Sequence, residues 1–356
     1  HGKATVLPGE IDFNFKINVN GVDRYILKIS RPDAKVEELE FQQKLLQHLE
    51  LSKETVQAPQ VIDDKSDLSI SIIKDSYGRK RFVRLLSWIP GRIYSKVNPQ
   101  SDALRFSLGI QCGALTKALF GFDHPHGHRR LDWDIAQSLW TLEHRHLFLE
   151  NKRDIVDYFQ GLFKDSFKSY DTLRKSVIHN DANDNNIIVS HDLKQPKVLA
   201  SIDYGDAVFT QTINDLAISC AYGIMDQNDP LAAAIDIVKG YHQSFSIEEK
   251  ELKFLYTAIA MRLVISVTKS ALNKVKEPDN IYLQISEKQA WEVLKKWKEL
   301  SEDFAHFSLR RACGLSAHPE QDEFITWAKT TKIGVEQLFP SNSLIDNIFI
   351  NKWHLN

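Results

Sequence analysis

Residues 177–189 read VIHNDANDNNIIV, a polar knot between two short runs rich in β-branched residues. Such runs favour strands, because stiff side chains suit a pleated surface, and the Asn- and Asp-rich stretch between them has the chemistry of a tight loop. Within it His179 and Asp181 stand two apart, and Asn186 follows the aspartate by five. Downstream, VLASIDYGDAVF (198–209) is a further apolar strand that delivers Asp203 into a turn with Gly205 and Asp206. A hairpin of adjacent strands can bring Asp181, Asn186 and Asp203 to one point.

That trio suits phosphoryl transfer. A hard Mg²⁺ ion takes oxygen ligands, here the Asp203 carboxylate and the Asn186 amide oxygen, and fills its other positions with water and phosphate oxygens. Asp181 is then free for an acceptor hydroxyl. The pattern H-x-D-x-x-x-x-N followed by D-x-G is that of kinase catalytic loops. Here it reads His-Asn-Asp rather than His-Arg-Asp, and neither an A-P-E motif nor a long activation segment follows Asp203. A small-molecule kinase is therefore expected, not a protein kinase.

Composition fits a globular enzyme. The chain has 356 residues, 43% hydrophobic and 26% charged, enough for two lobes with a buried core. Lys and Arg total 45 against 47 Asp and Glu, and the net charge of −2 leaves no electrostatic footprint for nucleic acid or an anionic membrane. Cys112, Cys220 and Cys313 lie outside disulfide or zinc spacing, which favours a reducing, cytoplasmic setting. No run of some eighteen apolar residues and no apolar signal segment is read. The chain opens on His1 without a methionine, and residues before it are expected to be missing. Oligomeric state is left open.

The secondary-structure signals divide the chain at residue 89. FNFKINVNGVDRYILKIS (13–30) alternates on both sides of Asn20-Gly21, a hairpin-turn dipeptide. DAKVEELEFQQKLLQHLE (33–50) has helical periodicity, and strands resume at SISIIKD (69–75) and KRFVRLLSWI (80–89) before Pro90-Gly91. A β-rich lobe with one helix over 1–89 and a mainly helical lobe over 90–356 follow, an α+β architecture. The histidines of DHPHGHRRLDWD (123–134) have no fixed partner spacing for a metal and are read as a loop.

A kinase of this plan needs a strand lysine for the α- and β-phosphates and a helix glutamate to hold it. YILKI (25–29) supplies Lys28 in an apolar strand, and the next helix offers Glu37, Glu38 and Glu40, of which Glu40, nearest mid-helix, is preferred.

LPGEIDFNF, YILKI, RLLSWIPG, HNDANDNN, IDYGD and NDLAISCAY, in this order, resemble the aminoglycoside phosphotransferase and choline kinase-like superfamily, and within it the hydroxylysine kinase-like phosphotransferase domains. The resemblance covers nearly the whole chain. It implies a protein-kinase-like two-lobed fold and an ATP- and Mg-dependent kinase, with GTP as the alternative nucleotide. Asp181 would be the base, Asn186 and Asp203 the magnesium ligands, and Lys28 with Glu40 the phosphate-gripping pair. His179 and Asp215 would be structural props. The backbone of Ser87 and Ile89 would bind the adenine, and a turn from Gly9 to Asp12 would contact phosphates, with one glycine where protein kinases have three. LDWDIAQ, AMRLVISV and PDNIYLQISEKQAW resemble segments near the acceptor pocket, with Trp133, Asp134, Arg262 and Tyr282 as candidates: Asp134 for an acceptor ammonium, Arg262 for an acceptor carboxylate. The acceptor is expected to be the hydroxyl of a small amine-bearing metabolite, such as an amino alcohol or hydroxy-amino acid. A kinase-like module without turnover is the rival reading. LRRACGLSAHP (309–319) and the tail resemble the point where bacterial relatives continue into another domain, so a longer enzyme is also expected.

Overall fold

The structure is a computed structural model, and it describes residues 2–9, 12–54, 56–276 and 287–330. The first part of the chain is an antiparallel sheet with one helix. Strands β1 (Gly2–Leu7), β2 (Phe13–Val19) and β3 (Val22–Ile29) form a meander, and helix α1 (Val36–Leu51) follows. Short β4 (Val61–Ile62), β5 (Ser71–Lys74) and β6 (Lys80–Ser87) complete it, with β6 beside β3 and pairing with both β4 and β5. The β2–β3 turn is Asn20-Gly21, both residues with positive φ as a tight hairpin turn requires.

Pro90-Gly91 then carries the chain against a second, small sheet of β7 (Arg92–Ile93), β9 (Ile187–Val189) and β10 (Val198–Ser201). A Cβ at Gly91 would lie 2.3 Å from the Ile188 side chain and 2.7 Å from the Val189 carbonyl, so only glycine permits this approach. Strand β8 (Lys175–Ile178) pairs with β11 (Val208–Gln211) and not with β9. The two runs flanking the polar knot thus belong to different sheets, and the hairpin that matters is β9–β10.

Helices α2 (Asp102–Leu119), α3 (Glu150–Tyr170), α4 (Ile213–Gly223), α5 (Pro230–Ser244), α6 (Glu249–Lys276), α7 (Glu287–Glu299), α8 (Glu302–Ala312) and α9 (Gln321–Thr330) build the larger lobe. Within the lobe expected to be mainly helical, Ile135–Leu147 is a series of 3-10 turns. The fold is α+β, two-lobed and protein-kinase-like. Helix α6 is its axis: from Phe254 to Ser270 every residue is buried except Ser266 and Lys269. It is long and apolar enough to cross a membrane by composition, yet most of that apolar stretch lies inside the protein. The three cysteines are buried and unpaired.

Candidate active site

The site is assembled from four places in the chain. Asn186 immediately precedes β9 and Asp203 follows β10 by two residues, and the Ile202 N–H donates to the Asn186 carbonyl at 2.8 Å, closing that end of the hairpin. Asp181 comes from the loop after β8. The Asn186 amide nitrogen donates to the Asp181 carboxylate at 2.7 Å and to its carbonyl at 3.0 Å. Lys28 reaches across from β3, its Nζ 3.2 Å from Asp203 Oδ1.

The loop holds its shape through buried polar bonds. Asn180 adopts a left-handed conformation with φ 63°, and its N–H donates to Asp215 Oδ1 at 3.1 Å. The Asp181 N–H donates to His179 Nδ1 at 3.2 Å, so His179 Nε2 carries the proton that meets the Ile202 carbonyl at 3.1 Å. Burial pushes the His179 imidazole down to about 4, which keeps it neutral in this role, and burial raises Asp215 to about 6. Both residues brace the loop from inside the protein. Asp203 also lies in the left-handed region, with φ 63°. Arg129 pins the turn after it, donating to the carbonyls of Gly205 and, at 2.8 Å, Ala207. Arg129 arrives from the histidine-rich loop, where His124 stacks on Phe41 and His128 packs tilted against Phe209. That loop is thus a packed support for the site.

Charge is arranged in two layers. Lys28 holds the Asp203 carboxyl below its ordinary range, although burial works the other way. Burial pushes the Asp181 carboxyl up, Arg262 pulls it back, and Asp206 adds to the rise. Arg262 is the residue that sequence reasoning placed on the acceptor. Instead its Nη2 donates to Asp181 Oδ1 at 2.8 Å, its Nη1 donates to the Trp133 carbonyl at 2.7 Å, and its guanidinium lies over the Trp133 ring at 4.7 Å. With 1% of its side chain exposed, it is committed to Asp181 and closed to an acceptor carboxylate.

Two other expectations are corrected. Glu40 is exposed on α1, on the outward side with Glu37, Lys44 and Gln47, and the ion pair of Lys28 is with Asp203. Phe41, Leu45, Leu46 and Leu49 of α1 pack in one cluster with Leu86 of the sheet, and the polar contact comes from Gln42, whose Oε1 accepts from Arg84 Nη1 at 2.6 Å. Arg84 stands opposite Lys28 in the β3–β6 register, and its Nη2 donates to Asp12 Oδ2 at 2.8 Å. Alternation therefore puts two cations side by side on one sheet face, and Asp12 is spent on Arg84. Asp134, the expected ammonium ligand, is 2% exposed. It caps the turns that follow, accepting from Ala136 N–H at 3.0 Å and Thr210 Oγ1 at 2.9 Å. An aspartate before an apolar periodic run is an N-cap signal that could have shown this.

The remaining candidates are distributed as follows. Gly9 lies so close to β2 that a Cβ would sit 2.4 Å from Asn14 Nδ2, and residues 10 and 11 of the expected phosphate turn lie outside the described residues. Ser87 Oγ accepts from the Gln60 N–H at 2.8 Å, and Ile89 is buried against Ile188 and Ala200, tying this segment to the β9–β10 hairpin. Trp133 is half-buried beside Arg262. Tyr282 lies outside the described residues.

The donor chemistry fits a hard divalent cation. Half of the Asp203 side chain is open to solvent. Both acceptors that the Asn186 amide meets, on Asp181, call for its nitrogen, which turns its oxygen the other way.

This fold, with a strand lysine facing an aspartate, asparagine and aspartate constellation across an interlobe linker, is that of the small-molecule kinases. The chain belongs to the phosphotransferase enzyme family (APH), whose family model matches residues 3–252. It is a small-molecule phosphotransferase acting on hydroxyl groups. It is 26% identical over 324 residues to a hydroxylysine kinase of Xenopus laevis, covering 83% of this chain and 85% of that one. To the hydroxylysine kinase of Mus musculus it is 25% identical over 320 residues, covering 83% and 84%. Among solved structures it resembles a microcompartment-associated aminopropanol kinase, with TM-score 0.63, 16% identity and coverage of 89% and 95%. It also resembles an amicoumacin kinase solved with AMP-PNP, Ca²⁺ and amicoumacin, with TM-score 0.62, 13% identity and coverage of 84% and 92%.

Proposed function

We propose that this protein transfers the γ-phosphoryl group of ATP, with GTP as the alternative nucleotide, to the hydroxyl of a small amine-bearing metabolite, an amino alcohol or hydroxy-amino acid. The observation that carries the reading is the pair of contacts Lys28–Asp203 and Asn186–Asp181, which sets a strand cation against the carboxylate after β10 and joins an asparagine to an aspartate in the loop that leads into β9. The lobes would divide at residues 89 and 90, with the nucleotide between them along Ser87 to Ile89 and the turn at Gly9.

In this mechanism the acceptor oxygen bonds to the γ-phosphorus, the bond from that phosphorus to the bridging oxygen of the nucleoside diphosphate breaks, and the hydroxyl proton passes to Asp181. Arg262 and Asn183, whose Nδ2 donates to Asp181 Oδ1 at 3.0 Å, fix the carboxylate in orientation before the acceptor arrives. Lys28 holds phosphate oxygens. Asn186 and Asp203 would hold Mg²⁺, which supplies neutralisation of charge on the transferring phosphoryl. His179 and Asp215 keep the loop backbone in place.

The test is release of nucleoside diphosphate over a panel of amino alcohols, hydroxy-amino acids and aminoglycosides, with ATP or GTP and Mg²⁺. At least one acceptor should give stoichiometric phosphorylated product. Silence across the panel with both nucleotides would sink the proposal.

A further inference from the structure

Helix α6 opens to solvent along a single line. Between Phe254 and Ser270 only Ser266 and Lys269 are even half exposed. They stand four and seven residues beyond Arg262, the helical spacing of one face. That face therefore starts at the catalytic base, which Arg262 holds, and runs outward for about 10 Å, two helical turns.

The opposite wall repeats the same spacing. Arg262 lies over the ring of Trp133 at 4.7 Å, and Lys269 lies over the ring of Trp140 at 5.0 Å. Both tryptophans belong to the segment around the Ile135–Leu147 turns, seven residues apart like the two cations. At the outer end Lys269 Nζ meets Asp132 Oδ2 at 2.5 Å, and Trp140 Nε1 donates to the Asp132 carbonyl at 2.9 Å. The inner end is a cation committed to the base. The outer end is a carboxylate and an ammonium, 55% and 25% exposed, on an aromatic floor. Lys269 also acts on the half-buried Asp206 carboxyl, which burial pushes up and Arg262, Arg129 and Lys269 pull back, so its charge is felt at the catalytic end.

We propose that the Asp132–Lys269 pair is an acceptor subsite for the zwitterionic head of a hydroxy-amino acid, the ammonium meeting Asp132 and the carboxylate meeting Lys269, while the side-chain hydroxyl reaches Asp181. The inference rests on the kinase reading above and selects hydroxy-amino acids over simple amino alcohols. A half-solvated ion pair contributes little by itself, so a zwitterion that replaces one such contact with two charge-assisted ones gains. Trp140 supports the inserted head. Arg262 cannot serve the carboxylate, because it is buried, with one terminal nitrogen on the Trp133 carbonyl and the other on Asp181.

The experiment uses the full chain with ATP and Mg²⁺ and compares hydroxylysine with its decarboxylated hydroxy-diamine, which lacks only the carboxylate. The wild-type protein should prefer hydroxylysine in kcat/KM by roughly tenfold or more, the weight of one charged hydrogen bond. In K269M the preference should shrink to within about twofold through a higher KM for hydroxylysine, and K269R should restore most of it. D132N should weaken both acceptors, since both carry the ammonium. Both side chains are partly open to solvent, and thermal melting of each variant separates a folding defect from a specificity effect. Equal use of the two acceptors by the wild type, or a K269M effect equal on both or absent, overturns the subsite. If the wild type phosphorylates aminopropanol but neither lysine-derived acceptor, the subsite falls and the kinase reading stands. If no acceptor is phosphorylated at all, both fall.

Discussion

The guanidinium of Arg262 stands 2.8 Å from the Asp181 carboxylate, reaching it from a helix 81 residues further along the chain. No Lys or Arg occurs between His179 and Val189, so the loop that carries Asp181 has no cation of its own. Asp181 is balanced instead from the core of the larger lobe. Removing one partner of a buried pair leaves the other charge stranded. Arg262→Met should therefore cost about 3 kcal/mol in urea unfolding, the low end for buried pairs because Asp181 is partly open. Arg262→Lys should cost less. A loss under about 0.5 kcal/mol, the range of ordinary surface changes, would show that the pair is not structural.

Asp181→Asn keeps the shape of the side chain and most of its hydrogen-bonding places, but the amide cannot take the hydroxyl proton. We expect kcat to fall by about 10²–10⁴, the usual contribution of a general base, while nucleotide affinity measured by calorimetry stays within about twofold, a change of less than 0.5 kcal/mol. Turnover near the wild-type rate would remove Asp181 from that role.

What could be read from the sequence was local. Asp181 and Asn186 share one short loop, and Asp203 enters through a strand adjacent in sequence, so spacing alone put the three together. The pairing of β8 with β11 was not readable, because both flanks of the knot are apolar and nothing local says which strand each will join. Contacts from far along the chain were equally hidden. Arg262 was visible only as an arginine on an apolar helix, and its partner depended on how α6 packs. On α1 a difference of two residues, a rotation of about 200°, decided that Gln42 meets the sheet and Glu40 meets water.

That rotation has a measurable consequence. Glu40→Gln should leave both nucleotide KM and stability unchanged within about 0.5 kcal/mol, as for a surface substitution. Arg84→Gln should behave differently, because Arg84 is 3% exposed and ties Asp12 and Gln42 to the strand that faces Lys28. It should destabilise the protein and raise nucleotide KM more than acceptor KM. The reverse order, with Glu40→Gln the damaging change, would restore the helix glutamate as partner of Lys28.

The last expectation concerns Asp203 and can be checked without turnover. In the structure Lys28 and Asp203 neutralise each other at 3.2 Å, with Lys28 only 12% exposed, so the aspartate serves as counter-ion before any ligand binds. Its open half is the side available to a divalent cation, and the Asn186 amide oxygen, left free where the nitrogen is bound to Asp181, is the second oxygen donor assigned to it. A ligand present at about a hundred times its dissociation constant stabilises a protein by about 2.7 kcal/mol, so Mg²⁺ with a non-hydrolysable ATP analogue should raise Tm by several degrees. Asp203→Asn removes the carboxylate a hard cation prefers and should abolish most of that Mg²⁺-dependent rise, while the smaller shift from nucleotide alone persists through Lys28. Asn186→Ala should reduce the rise in the same direction. A Tm response to Mg²⁺ in Asp203→Asn equal to that of the wild type would place the metal elsewhere, and would leave Asp203 with only its pairing to Lys28.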